Sequence, residues 1–173
     1  MPKLSMVQDL SRLLRDTISR ELPHLQALTE PGSAIHPDGP SSWSPKQELG
    51  HLIDSAANNH IRFVNATLQP EFKGAGYAQD GWVDLHGYQN KPWSTILDFW
   101  YAYNVFLADL VARIPQGELG TMCYIGSSEP ATLRFVIEDY VVHMQHHIDH
   151  LLQRATVTQY PSATTRAVPN KPA

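Results

Sequence analysis

Four segments of the chain repeat apolar residues at spacings of three and four, and stretches rich in Pro, Gly and Ser separate them. The segments run from about 4 to 22, 44 to 68, 92 to 114 and 130 to 154. Such spacing places apolar side chains on one face of an α-helix, which is buried against other helices. Since no convincing series of strands is found between them, the pattern predicts an all-α fold, a four-helix bundle with long connecting loops.

Capping residues and prolines indicate where these helices begin and end. Ser44 is suited to cap the second helix, with Pro45 in the first helical position and Gln47 completing a capping box. Pro23 is expected to end or kink the first helix, although residues 25–28 (Leu-Gln-Ala-Leu) could continue its path. The loop from 69 to 91 is long enough for a crossover connection and for a functional role. Residues 118–129 are expected to form either an irregular loop or a short hairpin.

Length and composition favour one globular domain. The chain has 173 residues, of which 42% are hydrophobic, enough for a buried core. The domain is expected to span 1–155. Residues 156–173 are rich in Thr, Pro, Ser and Ala, which predicts a flexible C-terminal tail.

Charge and cysteine content argue against several classes of partner. The formal net charge is -4 and basic residues are scattered, so we expect no nucleic-acid partner. No apolar run approaches the roughly 20 residues of a membrane-spanning helix. Cys123 is the single cysteine, which precludes an internal disulfide, and we expect it to be inert. With no signal-like N-terminus, a cytoplasmic location is predicted.

Histidines are the most distinctive side chains of the fourth helical segment. The chain has 9, of which His143 and His147 share one helix face, and His146 and His150 repeat the same spacing. On the second segment, a line of polar residues begins at His51. It comprises His51, Asp54, Ser55, Asn58 and Arg62. A buried polar row needs partners or an ion, so a hydrogen-bonded network between helices and a metal site both stay open.

Several motifs together resemble one known family. Residues 43–46 (Trp-Ser-Pro-Lys) lead into 50–56 (Gly-His-Leu-Ile-Asp-Ser-Ala), a pairing similar to the second-helix motif of the DinB/YfiT-like superfamily. Residues 77–82 (Tyr-Ala-Gln-Asp-Gly-Trp) look like the loop that follows in the YfiT-like branch. Residues 137–147 contain an H-x-x-x-H motif similar to that of the family's last helix. The resemblance extends over about 4–154.

The resemblance implies a four-helix bundle with a zinc- or nickel-type site. By motif position, His51, His143 and His147 are the expected ligands of one divalent ion, with zinc the first choice and nickel the second. His146 and His150 fall beside the ligand positions. Members of the family are described as metal-dependent hydrolases, and some relatives are transferases or isomerases that use bacillithiol or mycothiol.

Three histidine ligands and an open position are typical of a catalytic site, and two chemistries fit. In a hydrolase the ion activates a bound water for a small-molecule substrate, and Asp54 is the expected proton acceptor. Asp54 is equally suited to orienting a histidine. In an S-transferase the open position binds a low-molecular-weight thiol. The residues expected to contact substrate are Asn58, Arg62, Tyr77, Asp80 and Trp82.

A third hypothesis is a non-catalytic, metal-stabilised binding module. It predicts that a fourth protein ligand closes the site, with His146, His150 and Asp54 as candidates. Exposed aromatic residues on a small bundle favour a homodimer as a weak expectation.

Overall fold

The computed structural model describes residues 6–160. Its helices are α1 (Met6–Gln26), α2 (Glu30–Ser33), α3 (Pro45–Leu68), α4 (Gln79–His86), α5 (Trp93–Ala112) and α6 (Leu133–Leu151). Its strands are β1 (Glu71–Gly74), β2 (Met122–Ile125) and β3 (Ala131–Thr132), and short 3₁₀ helices span Tyr88–Asn90 and Gln116–Gly120. The four long helices confirm the predicted all-α bundle.

Local capping explains where the two site-bearing helices begin. The Ser44 hydroxyl accepts a hydrogen bond from the Gln47 amide, and the Gln47 side chain accepts one from the Ser44 amide, so the predicted capping box is present. Thr132 caps α6 by accepting from the Phe135 amide. Helix α1, in contrast, continues through Pro23 to Gln26, because the fully buried Leu25 anchors its last turn in the core.

The packing of the long helices brings α3 and α6 side by side. Helix α1 packs against α5 and α6, and α3 packs against the same two helices, so consecutive long helices α1 and α3 lie on a diagonal. The core contains fully buried Trp100, Phe63 and Tyr140, whose hydroxyl donates to Asn104. Because α3 and α6 are neighbours, side chains from residues about 90 positions apart, such as His51 and His143, meet.

The connecting segments contain more structure than the sequence predicts. The segment 69–91 forms β1, α4 and a 3₁₀ turn rather than an extended loop. Of the two alternatives for 118–129, the hairpin is closer, since β2 pairs antiparallel with β3. Strand β2 also pairs in parallel with β1, which was not expected. These strands have at most 4 residues, too few for a periodic signal, and their pairing is set by tertiary contact.

The segment after α6 folds back along that helix for several residues. The Thr158 amide and hydroxyl donate to Asp149 at 2.9 and 2.7 Å, and the Tyr160 hydroxyl donates to Asp139 at 3.1 Å. Residues 156–160, predicted as the start of a flexible tail, therefore have defined contacts. The rest of that predicted tail, 161–173, lies outside the described residues.

None of the helices described between residues 6 and 160 is long and apolar enough to cross a membrane.

Candidate metal centre

Three histidine rings from two helices converge at the junction of α3 and α6. The ring centroids of His51 and His143 are 5.0 Å apart, and each lies 4.5 Å from the centroid of His147. One ring nitrogen from each residue lies within 4.8 Å of the others. The sequence-predicted triad is therefore assembled in space, with His51 fully buried.

Neighbouring polar side chains contact the outward ring nitrogens of His147 and His143. Nδ1 of His147 lies 2.5 Å from a carboxylate oxygen of Glu48, and Nδ1 of His143 lies 3.3 Å from the Ser55 hydroxyl. A carboxylate only accepts hydrogen bonds, so Nδ1 of His147 is the donor in its contact with Glu48. Such contacts fix the tautomer and orientation of a metal-ligating histidine.

Burial keeps the inner rings neutral. Removal from water, reinforced by the nearby His147, lowers the pKa of His51 to about 3. The same two causes, in the same order, hold the pKa of His143 well below its ordinary value. Neutral imidazole is the form that binds a metal ion.

These observations fit a cation at the centre of the triad. Nε2 of His51 and Nε2 of His143 are 3.0 Å apart, and two neutral nitrogens that both present lone pairs repel unless a proton or cation lies between them. Nδ1 of His51 has no hydrogen-bond partner among residues 6–160. Three imidazole nitrogens suit zinc and nickel, as well as copper and iron.

A cavity of about 370 Å³ opens on one side of the triad at His143. Its lining includes the side chains of Ser55, Arg62, Tyr77 and Asp139, together with the 126–129 turn. Tyr160 lines it too, with its ring 4.9 Å from that of His143. Of the five predicted substrate contacts, the cavity brings Arg62 and Tyr77 together with the triad.

Asp54 and Asn58 do not line the cavity beside the triad. One Asp54 carboxylate oxygen accepts from the Tyr88 hydroxyl at 2.7 Å and lies 2.9 Å from Nδ1 of His86, and the other has no partner among the described residues. Burial outweighs these hydrogen bonds and raises the pKa of Asp54. Asp54 lines a separate apolar cavity of about 440 Å³, and the Asn58 amide donates to the Asp54 backbone carbonyl.

The two remaining predicted substrate contacts are also separated from the triad cavity. Asp80 is exposed and lines a surface groove that passes Trp43 and Glu48. Trp82 lines the apolar cavity of Asp54, and its ring packs 5.3 Å from Tyr77. The Tyr77–Trp82 pair thus lies between the two cavities.

The other α6 histidines belong to the contact with the C-terminal segment. Nδ1 of His146 lies 2.7 Å from the Thr158 carbonyl oxygen, and the His150 ring lies 4.6 Å from the His146 ring in a tilted arrangement. Neither is in the three-histidine group that is able to hold an ion among residues 6–160. Their identical i, i+4 spacing shows why spacing alone does not identify the ligand pair.

Sequence reasoning assigned no role to Glu48, Asp139 or Tyr160, each of which contacts the triad or lines its cavity. Glu48 lies three residues before His51 on α3. This spacing places both side chains on one face of the helix, so the sequence contained evidence for a role of Glu48. Asp139 lies four residues before His143 on α6, a spacing that places both on one face of the helix. Tyr160 lies in the predicted tail, where no pattern marks it.

Comparisons with known proteins agree with this arrangement. The model of the DinB superfamily matches residues 13–151. A similar solved structure is that of YfiT from Bacillus subtilis, described as a probable metal-dependent hydrolase with an unusual four-helix bundle topology. It has a TM-score of 0.74 and 20% sequence identity, covering 88% of this chain and 89% of that one, a likeness of fold. No curated protein matches the sequence. Since the family model spans most of its length, this chain belongs to the DinB superfamily.

Proposed function

We propose that the chain is a metal-dependent hydrolase whose divalent ion is held by His51, His143 and His147. The observation that carries the proposal is the convergence of three imidazole rings beside an open cavity. When bound, such an ion lowers the pKa of a coordinated water towards about 7 and polarises a carbonyl group. Zinc is our first choice and nickel the second.

The chain's own residues would orient the ligands and handle the proton. Glu48 holds His147 through Nδ1, and Ser55 contacts His143. Asp139 lines the triad cavity, whereas the sequence-predicted base Asp54 lines a different one, so we assign proton acceptance to Asp139. Hydrolysis then adds hydroxyl to the acyl carbon and returns the proton to the leaving atom, and water is the sole co-reactant.

The remaining hypotheses differ in what occupies the open side of the site. A closed binding module needs a fourth protein ligand, but the group able to hold an ion within residues 6–160 contains three histidines. This favours the two enzymatic alternatives. An S-transferase that uses a low-molecular-weight thiol would bind the thiol at the same open side. Activity assays with and without the thiol distinguish this reaction from hydrolysis. A cytoplasmic location and a homodimer stay predictions from the sequence.

Activity assays on metal-loaded protein test the proposal. Protein loaded with zinc or nickel should hydrolyse members of a panel of small esters and amides, lose activity with a chelator and regain it when metal is restored. Added thiol should not be required. Activity that appears only with a thiol would instead support S-transfer. Hydrolysis that persists unchanged in fully demetallated protein would contradict the proposal.

Histidine substitutions distinguish the ligands from their neighbours. We expect His143→Ala to lose most bound metal because it removes one of three nitrogen ligands, whereas His150→Ala on the same helix should retain it. Elemental analysis of both purified variants measures this. Equal metal loss in the two variants, or full retention in His143→Ala, would contradict the ligand assignment.

A further inference from the structure

Arg62 lines the triad cavity and forms no ion pair with any of residues 6–160. Its guanidinium donates one long hydrogen bond, 3.4 Å to the Asn59 side-chain oxygen. No carboxylate of residues 6–160 lies within the 4.0 Å ion-pair distance of Arg62. A guanidinium has five N–H donors, so most of its hydrogen-bonding capacity is available.

The position of Arg62 places its unused N–H donors where a ligand can reach them. The side chain is partly buried and lines the same cavity as His143. A charge removed from water needs a partner, and a planar guanidinium matches the two oxygens of a carboxylate. The cavity is therefore suited to an anion that enters from solvent and pairs with Arg62.

Nearby charge limits which anion fits. Asp139 and Glu129 also line the cavity, and Asp139 interacts electrostatically with Arg62 without forming an ion pair, so a ligand meets one guanidinium and two carboxylates. A dianion such as a phosphate ester would gain from Arg62 but be repelled by Asp139. A monoanion suffers this repulsion less. The volume of about 370 Å³ is that of a small-molecule site.

We infer that the substrate is a small carboxylic acid that also carries an ester or amide group, and that Arg62 binds its carboxylate. The group to be hydrolysed then lies at the histidine end of the same cavity. The inference rests on the proposed function for the hydrolysis reaction. The carboxylate site is defined by Arg62, so its binding can be tested separately from that reaction.

Binding of matched probes to the metal-loaded protein tests the inference. Benzoate and benzamide have nearly the same shape but differ in charge. By titration calorimetry, the wild-type protein should bind benzoate at least about tenfold more tightly than benzamide, the scale of one charge-assisted hydrogen-bonding pair. Phenylphosphonate, which carries more negative charge than benzoate near neutral pH, should bind more weakly than benzoate.

Arg62 variants distinguish binding at this side chain from binding at the metal. Arg62→Gln should lose the preference for benzoate while keeping its metal, and Arg62→Lys should keep part of it. Arg134→Gln, at an exposed position of α6, serves as the charge-matched control and should bind like wild type. Thermal melting of each variant establishes that it is folded.

Several outcomes would overturn the inference. Benzoate preference retained in Arg62→Gln would show that the metal or another group binds the carboxylate. No preference in wild type, or tighter binding of phenylphosphonate, would exclude a monocarboxylate site. Failure of the proposed function would give a different result. A protein that takes up no metal but shows an Arg62-dependent preference for benzoate would support the carboxylate site and contradict the hydrolase proposal.

Discussion

At the scale of single residues, the site depends on which nitrogen of each imidazole faces inward. Glu48 settles this for His147, because its carboxylate accepts from Nδ1 at 2.5 Å. The sequence indicated the three histidines that we propose as ligands, but not the groups that orient them. A carboxylate one helical turn before a histidine is common, and only the packing of α3 against α6 shows which ring it reaches.

We expect Glu48→Gln to weaken metal binding by about 10- to 100-fold, because a neutral amide holds the His147 ring less strongly. Competition with a chromophoric chelator measures the affinity. Glu138→Gln on the outer side of α6 is the matched control and should leave it unchanged. An affinity of Glu48→Gln equal to that of wild type would show that this contact does not support the ligand.

The roles of the polar residues of α3 were less predictable. His51, Asp54, Ser55, Asn58 and Arg62 share a line on the helix, but the cavities on either side of the Tyr77–Trp82 pair divide them. Asp54 faces the apolar cavity, and Ser55 and Arg62 face the triad. A helical line is broad enough to contact two different neighbours, which spacing alone does not resolve.

At the scale of elements, α3 is held in place by a close approach at Gly50. A Cβ added there would lie 2.2 Å from two ring carbons of Tyr88, whose hydroxyl donates to Asp54. The glycine therefore lets the 3₁₀ turn pack directly on the helix, one residue before His51. This explains in physical terms why a helix-weakening residue precedes a ligand.

Gly50→Ala should destabilise the protein by about 2 kcal/mol, because the new methyl group overpacks the Tyr88 ring. Denaturant unfolding measures the change. Gly81→Ala on α4 is the control, since its nearest contact would be the Ala78 Cβ at 4.0 Å. Combining Gly50→Ala with Tyr88→Ala should cost less than the sum of the two single changes. Strict additivity would contradict the proposed contact.

Sequence patterns predict the long helices but not the short strands. The long helices have many turns of periodic apolar residues, and the capping box at Ser44 marks a boundary locally. The strands are short, and β1 pairs with β2 across about 50 residues of chain. This long-range pairing is accompanied by tertiary contacts, since both α3 and α6 pack against the sheet.

At the scale of the whole molecule, a charged network joins the end of α6 to α1. Buried Glu21 accepts from Arg154 at 2.6 Å, and Arg154 also donates to Asp149 at 2.7 Å. Burial raises the pKa of Glu21, but hydrogen bonds from Arg154, Arg20 and Gln145 outweigh it and leave the pKa below its ordinary 4.5. The network fixes the helix whose other residues include His143 and His147.

The depressed pKa of Glu21 gives the network a defined pH dependence. Its contribution to the free energy of unfolding is fully present above the unfolded pKa of about 4.5. It is lost as the pH falls through the lower pKa of the folded state. Arg154→Gln should therefore lower stability at pH 7 by about 2 kcal/mol, and the difference from wild type should shrink in acid.

Urea unfolding of both proteins between pH 7 and pH 3 measures this prediction. Arg113→Gln, at an exposed position at the end of α5, is the control and should parallel wild type. A stability difference that stays constant or grows as the pH falls would mean that the Glu21 carboxylate is not the partner that Arg154 stabilises.

The bundle as a whole follows from the sequence because four long amphipathic segments have few ways to bury their apolar faces. Its arrangement was only partly predictable: a crossover was allowed, but the diagonal placement of α1 and α3 depends on packing. The triad is a consequence of that placement. Had α3 and α6 been diagonal, the same histidines would lie on separate faces.

X-ray absorption spectroscopy of the protein loaded with zinc tests the central claim most directly. We predict about one zinc per chain, with three imidazole nitrogens at about 2.0–2.1 Å and a remaining light-atom ligand from solvent. His143→Ala should lose this spectrum. A protein that takes up no metal, or one whose spectrum shows a sulfur ligand at about 2.3 Å, would contradict the three-histidine centre.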